Sequence, residues 1–217
     1  MGTGKYIVVE GPIGVGKTSL ARILAEEFSA DLEFDPADRN EFLRAFYSNP
    51  ERYSLATQLR FLLLRYEQQA RIASRPEDGR AVVCDYLWVK DLIFAGLTLG
   101  KDELALYGEL ARAVADPIHM GIRKPDLVVY LEARPEVLLQ RLDKRNRDFE
   151  RHIAPEYLAS LTEAYRRFFY SYEEAPLLVV NSSGIDFLGN GDELVDLIRE
   201  IRGVRHGVQH YIPLGSR

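Results

Sequence analysis

The stretch KYIVVEGPIGVGKTSL, residues 5–20, reads as three pieces in succession. Residues 5–10 are short, β-branched and apolar, the composition of a strand buried on both faces. Gly11, Pro12, Ile13, Gly14, Val15, Gly16, Lys17 and Thr18 follow and fit G-x-x-x-x-G-K-[ST] in full. Over 17–28, Leu20, Ile23, Leu24 and Phe28 fall near helical spacing. A strand leads in and a helix leads out. In that setting glycines let the loop wrap closely around a phosphate chain, with its N–H groups and the helix N-terminus facing the anionic oxygens. Every residue from Gly11 to Thr18 is therefore a candidate nucleotide contact. Lys17 is expected to reach the β- and γ-phosphates, and the Thr18 hydroxyl to ligate Mg²⁺. The motif points to nucleoside triphosphate binding and leaves the acceptor open.

Outward from the loop, strands and helices alternate. A second strand is expected to end at Asp35. A long helical pattern covers 51–74, with Leu55, Leu59, Leu62, Leu63 and Tyr66 on one side. Residues 81–84 read as a buried strand ending at Asp85, with helices at about 88–96 and 101–117. DLVVYL, 126–131, is another strong strand. The helix at 135–145 starts with Pro135, where a missing N–H costs nothing. A helix at 155–173, a strand at 177–180 and a helix at 191–201 complete the pattern. Short apolar strands separated by helices predict an α/β fold: a parallel five-stranded sheet with helices on both faces and ligands at the strand C-termini. The expected organisation is a single domain over 1–202, with a lid at about 141–152. The tail 203–217 has no clear period.

Composition narrows the classes. Among 217 residues, 28 Lys and Arg stand against 33 Asp and Glu, a net charge of −5, which argues against a nucleic-acid coat or a basic membrane binder. The single cysteine, Cys84, excludes an intrachain disulfide framework. His119, His152, His206 and His210 are too scattered for an obvious metal cluster. No signal peptide or long apolar run is present, so a reduced, cytoplasmic enzyme domain is expected, with no membrane partner.

Three further segments bear on the acceptor. Asp85, at a strand end, is placed to hold Mg²⁺ directly or through water; the alternative is a helix N-cap. Arg141, Lys144, Arg145 and Arg147 form a basic cluster in which Arg141 and Arg145, at i,i+4, share one helix face. Beside a phosphate loop they read as an Arg-rich lid that neutralises charge on the transferred group. Asp35, before Pro36, is a candidate acceptor for the proton of an attacking hydroxyl. Phe46, Tyr47 and Tyr53 are candidates to stack on a flat ring or to fill the core.

The loop, with NPERYSLATQLRFLLLRY, CDYLWVKDLIFAGLTL, RLDKRNRDFE and LLVVNSSGIDFLGN, resembles the deoxynucleoside kinase family over about residues 5–201. Its nearest pattern is the bacterial deoxyadenosine/deoxyguanosine kinase branch. The resemblance implies a P-loop kinase that uses ATP and Mg²⁺ to phosphorylate a deoxynucleoside 5′-hydroxyl, a purine nucleoside for this branch. The alternatives are a non-catalytic paralogue that pairs with an active subunit, or a nucleoside monophosphate kinase. The resemblance also implies a homodimer, or a heterodimer with a paralogue. By the same resemblance Asp35 stands where the family has a general-base Glu, and Asp85 matches the strand-end Asp. Tyr86 stands where many members have an Arg near the 5′-oxygen. Arg141, Arg145 and Arg147 match lid arginines, and Glu150 a lid carboxylate near the sugar 3′-hydroxyl. Tyr53 is a sugar or base contact, and Asp186 and Phe187 match the loop beside the donor's base. The family's base-reading Gln falls on Ala56, and Gln58 is expected to face away on the helix.

Overall fold

The computed structural model describes residues 4–75, 79–114, 123–145, 153–185, 187 and 191–213. In chain order the elements are β1 (Tyr6–Glu10), α1 (Lys17–Glu27), β2 (Asp31–Glu33), a 3₁₀ turn (Pro36–Arg39), α2 (Leu43–Ser48) and α3 (Pro50–Ala73). Then come β3 (Val82–Cys84), α4 (Lys90–Thr98), α5 (Lys101–Val114), β4 (Leu127–Glu132) and α6 (Pro135–Arg145). The chain continues with α7 (Pro155–Tyr170), β5 (Leu177–Asn181), α8 (Gly191–Gly203) and β6 (Val208–Tyr211).

The strands form a six-stranded sheet in the order β2-β3-β1-β4-β5-β6, with each neighbouring pair parallel. The sixth strand corrects the expected five. β6 lies in the tail and pairs Val208–Tyr211 with Leu177–Val180 of β5. Its side chains are largely exposed, so it shows no buried apolar run in sequence. The interior strands behave as expected: β1 is buried throughout and β4 nearly so, because helices cover both faces. Beneath β4, Tyr130 stacks on Phe169 of α7 at 4.1 Å between ring centroids, a pair worth about 0.5–1.5 kcal/mol beyond its buried area.

α3 differs most from its sequence pattern. Asn49 caps it by accepting from the Arg52 N–H, and Pro50 occupies the first turn. The expected inward stripe is only partly inward: Leu62 is buried, but Leu63 is 50% exposed. The buried face instead carries Ser54, Thr57, Gln58, Phe61, Arg65, Gln68, Gln69 and Ile72. These polar side chains are tolerated because α3 crosses the loops after β2 and β3. Gln68 donates to Glu33 Oε2 and to the Phe34 carbonyl, both at 2.9 Å. Gln69 donates to Tyr86 Oη at 3.1 Å and to Tyr6 Oη at 3.3 Å. The amide donors are thus paired, while the Oε1 atoms of Gln68 and Gln69 are buried without a hydrogen-bond partner among the described residues.

Candidate active site

The phosphate loop joins β1 to α1 at the centre of the sheet, where the chain order turns outward to β3 on one side and β4 on the other. Such a switch point is where parallel α/β sheets bind ligands. Gly11 has φ of 151° and Gly16 of 107°. A Cβ on Gly11 would lie 2.3 Å from the Leu131 carbonyl oxygen, and one on Gly16 would strike the Phe187 ring at 2.8 Å. Both positions require glycine on conformation and on space.

Lys17 Nζ bends back to donate to the Gly11 carbonyl at 2.7 Å and the Pro12 carbonyl at 3.0 Å. Burial lowers its pKa to about 8, against the opposing pull of Glu10. Glu10, fully buried at the end of β1, anchors the loop from below. Its carboxylate accepts from the Gly11 N–H at 2.8 Å, the Leu87 N–H at 2.5 Å and Tyr165 Oη at 3.0 Å. The sequence pattern reads Glu10 only as the end of a strand.

Two cavities meet at the loop. The first, about 730 Å³, runs along Gly14–Ser19, Val137, Arg141, Arg145 and Phe187. The second, about 300 Å³, is lined by Lys17, Thr18, Asp35, Asp85 and Lys90 and by Tyr47, Gln58, Phe61 and Arg65. Arg145 borders both, as do Gly14, Lys17 and Thr18. Phe187 lines the first cavity against Gly16. Arg147, Glu150 and Asp186 lie outside the described residues.

Two aspartates line the second cavity beside Lys17, Arg65 and Lys90. Thr18 Oγ1 donates to Asp85 Oδ2 at 2.6 Å, and the Asp35 N–H donates to Asp85 Oδ1 at 2.5 Å. Asp85 thus ties the phosphate loop to the loop after β2. Asp35 accepts from Lys90 Nζ at 2.5 Å and from Arg65 at 3.0 and 3.1 Å. Arg65 also ion-pairs with Asp91, and its guanidinium lies 4.4 Å from the Phe61 ring centroid. Burial alone would raise the Asp35 pKa, but Arg65 and Lys90 override it and hold the carboxyl well below the usual carboxylate range.

Several expected residues have other positions. Tyr86 is fully buried; it lies under Arg65 and Lys90 and receives a hydrogen bond from Gln69, so it does not face the cavity. Arg141 is committed to the protein itself. It donates to the Val15 carbonyl at 3.1 Å, the Ser182 carbonyl at 2.7 Å and the Ile185 carbonyl at 2.9 Å, clasping the phosphate loop to the loop after β5. Neither Ala56 nor Tyr53 lines the second cavity, whereas Thr57 and Gln58 do. The expected outward Gln58 is corrected by the helix phase: it shares a face with Phe61 and Arg65 at three- and four-residue steps. Gln58 Nε2 donates to Thr98 Oγ1 at 3.2 Å, while its buried Oε1 has no hydrogen-bond partner among the described residues. Tyr47 lines the cavity edge-on to Phe46, with ring centroids 5.2 Å apart.

Arg65, Lys90, Gln58 and Glu10 are the residues that sequence reasoning missed. The signal for the first and third was present as a polar face of α3 in phase with Gln68 and Gln69. For Lys90 and Glu10 no local pattern marks them; only the fold brings them to the loop.

A phosphate-binding loop beside a second cavity that carries two aspartates defines a P-loop phosphotransferase. The Deoxynucleoside kinase family matches residues 7–204, and the chain belongs to that family. It is therefore a kinase. It is 30% identical to a deoxyguanosine kinase of Bacillus subtilis over 207 residues, covering 93% of this chain and 98% of that one. It is 32% identical to a deoxyadenosine kinase of Dictyostelium discoideum, covering 83% and 73%. In fold it matches the deoxyadenosine kinase of M. mycoides with bound dATP, with a TM-score of 0.75 at 19% identity over 92% of this chain and 99% of that one.

Proposed function

We propose that this kinase transfers the γ-phosphoryl group of ATP to the 5′-hydroxyl of a purine deoxynucleoside. The observation that carries the reading is Gln58: a buried amide in the second cavity whose oxygen has no partner among the described residues and whose nitrogen donates one of its two N–H groups to Thr98. An adjacent donor and acceptor suit the edge of a nucleobase, and a Gln amide matches the donor–acceptor edge of adenine. Phe61 and Tyr47 supply flat apolar walls beside it. The relatives named deoxyguanosine and deoxyadenosine kinase support the same class.

The larger cavity takes the donor, with Lys17 released from the loop carbonyls to the phosphates. Thr18 and Asp85 present hard oxygen donors side by side, the type that suits Mg²⁺. An ion held by these two groups would complete its shell with phosphate oxygens and water. Mg²⁺, when bound there, neutralises charge on the phosphate oxygens. Asp35 orients the attacking hydroxyl and accepts its proton. In a loose transition state proton removal comes late, so an ionised carboxylate of low basicity suffices. Arg145 sits where the two cavities meet and faces the group in flight.

Cytoplasmic placement and a homodimer belong to the same proposal. No described helix is long and apolar enough to cross a membrane. Leu63, Leu92, Leu106 and Leu110, each at least 40% exposed on α3, α4 and α5, give apolar surface for pairing. The test is incubation of the pure chain with Mg-ATP and each of the four deoxynucleosides and their monophosphates, reading products by chromatography. Purine deoxynucleoside monophosphates are expected; product from monophosphates alone, or none, rejects the reading.

A further inference from the structure

We propose that Lys90 is a catalytic residue with two partners in turn, Asp35 before the acceptor arrives and the transferring phosphoryl group afterwards. The inference rests on the deoxynucleoside kinase reading and adds a residue and an order of events to it.

Lys90 opens α4 but points inward. Its side chain is 4% exposed, and Nζ lies 2.5 Å from Asp35 Oδ2. It lines the smaller cavity together with Lys17, Thr18, Asp85 and Arg145. The two ammoniums are near enough for Lys90 to help lower the pKa of Lys17. A buried cation in this place costs desolvation and needs a compensating charge. Asp35 gives it one, but Asp35 is also held by Arg65.

The two cations differ in how firmly they are held. Arg65 reaches Asp35 through Nε and Nη2, pairs with Asp91 on its other side and packs over Phe61. It is fixed on every side. The Lys90 ammonium donates to Asp35 from the end of a four-carbon stem, and its other neighbours among the described residues are the ring faces of Tyr86 and Phe94 at 5.9 and 6.0 Å and the like-charged Lys17. A hydroxyl that enters to donate to Asp35 must displace one cation, and Lys90 is the one free to yield.

Displaced from Asp35, Nζ meets a second anion, the γ-phosphoryl group, where it enters from the larger cavity past Lys17 and Thr18. The O5′–Pγ bond forms as the bond from Pγ to the ADP oxygen breaks, and the hydroxyl proton passes to Asp35. Lys90 takes no proton; it balances charge that moves from the carboxylate side to the phosphoryl side. Before the acceptor binds, the same ammonium occupies Asp35 and keeps it from activating water, so ATP is spared.

The test uses the full-length chain and the variants Lys90→Met and Lys90→Arg, with ATP affinity and Tm checked first as measures of folding. Lys90→Met is expected to lower kcat for transfer about 100-fold, the scale of losing one group aimed at developing charge, while ATP hydrolysis without nucleoside does not fall. Lys90→Arg is expected to recover kcat to within about tenfold of the parent, because the positive charge is kept although the planar guanidinium replaces a compact ammonium. Transfer within threefold of the parent in Lys90→Met overturns the inference and leaves the kinase reading intact. So does an equal fall in transfer and hydrolysis at unchanged ATP affinity, which would mean that Lys90 only holds Asp35 in place. Failure of the parent chain to phosphorylate any deoxynucleoside would instead sink the reading beneath it.

Discussion

Two residues two positions apart on one helix separate the competing views of base recognition. Gln58 faces the acceptor cavity and Ala56 does not. Gln58→Ala is expected to raise the deoxynucleoside KM by ten- to a hundredfold, the worth of about 1.5–3 kcal/mol of paired amide. Ala56→Gln is expected to leave KM unchanged within twofold, because the new amide would point away from the base. Steady-state kinetics on both variants check this. Lys17 carries a pH effect. Its ammonium is the form that binds phosphate, and burial brings its pKa down to about 8. The affinity of the free enzyme for ATP should therefore weaken as pH rises past about 8, as measured by fluorescence titration with a nucleotide analogue. A Lys17 pKa near its ordinary 10.5 would leave binding flat to pH 9.

At the scale of elements, α6 acts as a clasp. Arg141 sits one turn before Arg145 on the same face, yet its guanidinium bonds carbonyls of the phosphate loop and of the loop after β5. Arg141→Ala leaves those carbonyls without their donor, at about 1–3 kcal/mol for a buried group. The expected outcome is a lower Tm and a roughly tenfold weaker ATP affinity, with the deoxynucleoside KM little changed, read by thermal unfolding and by kinetics. A loss confined to kcat would show that Arg141 acts on the phosphoryl group instead. The i,i+4 spacing revealed that the two arginines share a face. It gave no sign that the first would be consumed by backbone carbonyls more than 40 residues away in sequence.

At the scale of the whole molecule, the site is also part of what holds the fold together. Asp35 links β2, α3 and α4 through Arg65 and Lys90. Its folded pKa lies below the unfolded value, so its contribution to stability is present above pH ~4 and is lost as pH falls through the folded pKa. Asp35→Asn should cost on the order of 3 kcal/mol at pH 7. The gap between parent and variant in urea midpoint should close as pH drops below about 4. A gap constant down to pH 3 would show that the ion pairs add nothing to stability.

Local sequence determined the phosphate loop, the parallel α/β pattern and the buried strands, because each rests on contacts between residues close in the chain: glycine conformation, helix phase and β-branched runs. It also marked Asp35, Asp85 and Arg145, which the fold does gather at one edge of the sheet. The sixth strand escaped because an exposed edge strand needs no apolar pattern, only a neighbour with free backbone groups. The polar face of α3 escaped because its side chains are buried against carboxylates and hydroxyls that arrive from β1, β2 and β3. Which side of that helix faces the acceptor, and that Lys90 rather than Tyr86 meets Asp35, was decided by tertiary packing alone. Burial of charge is stable only where partners converge in space, and a linear pattern of residue types does not contain that convergence.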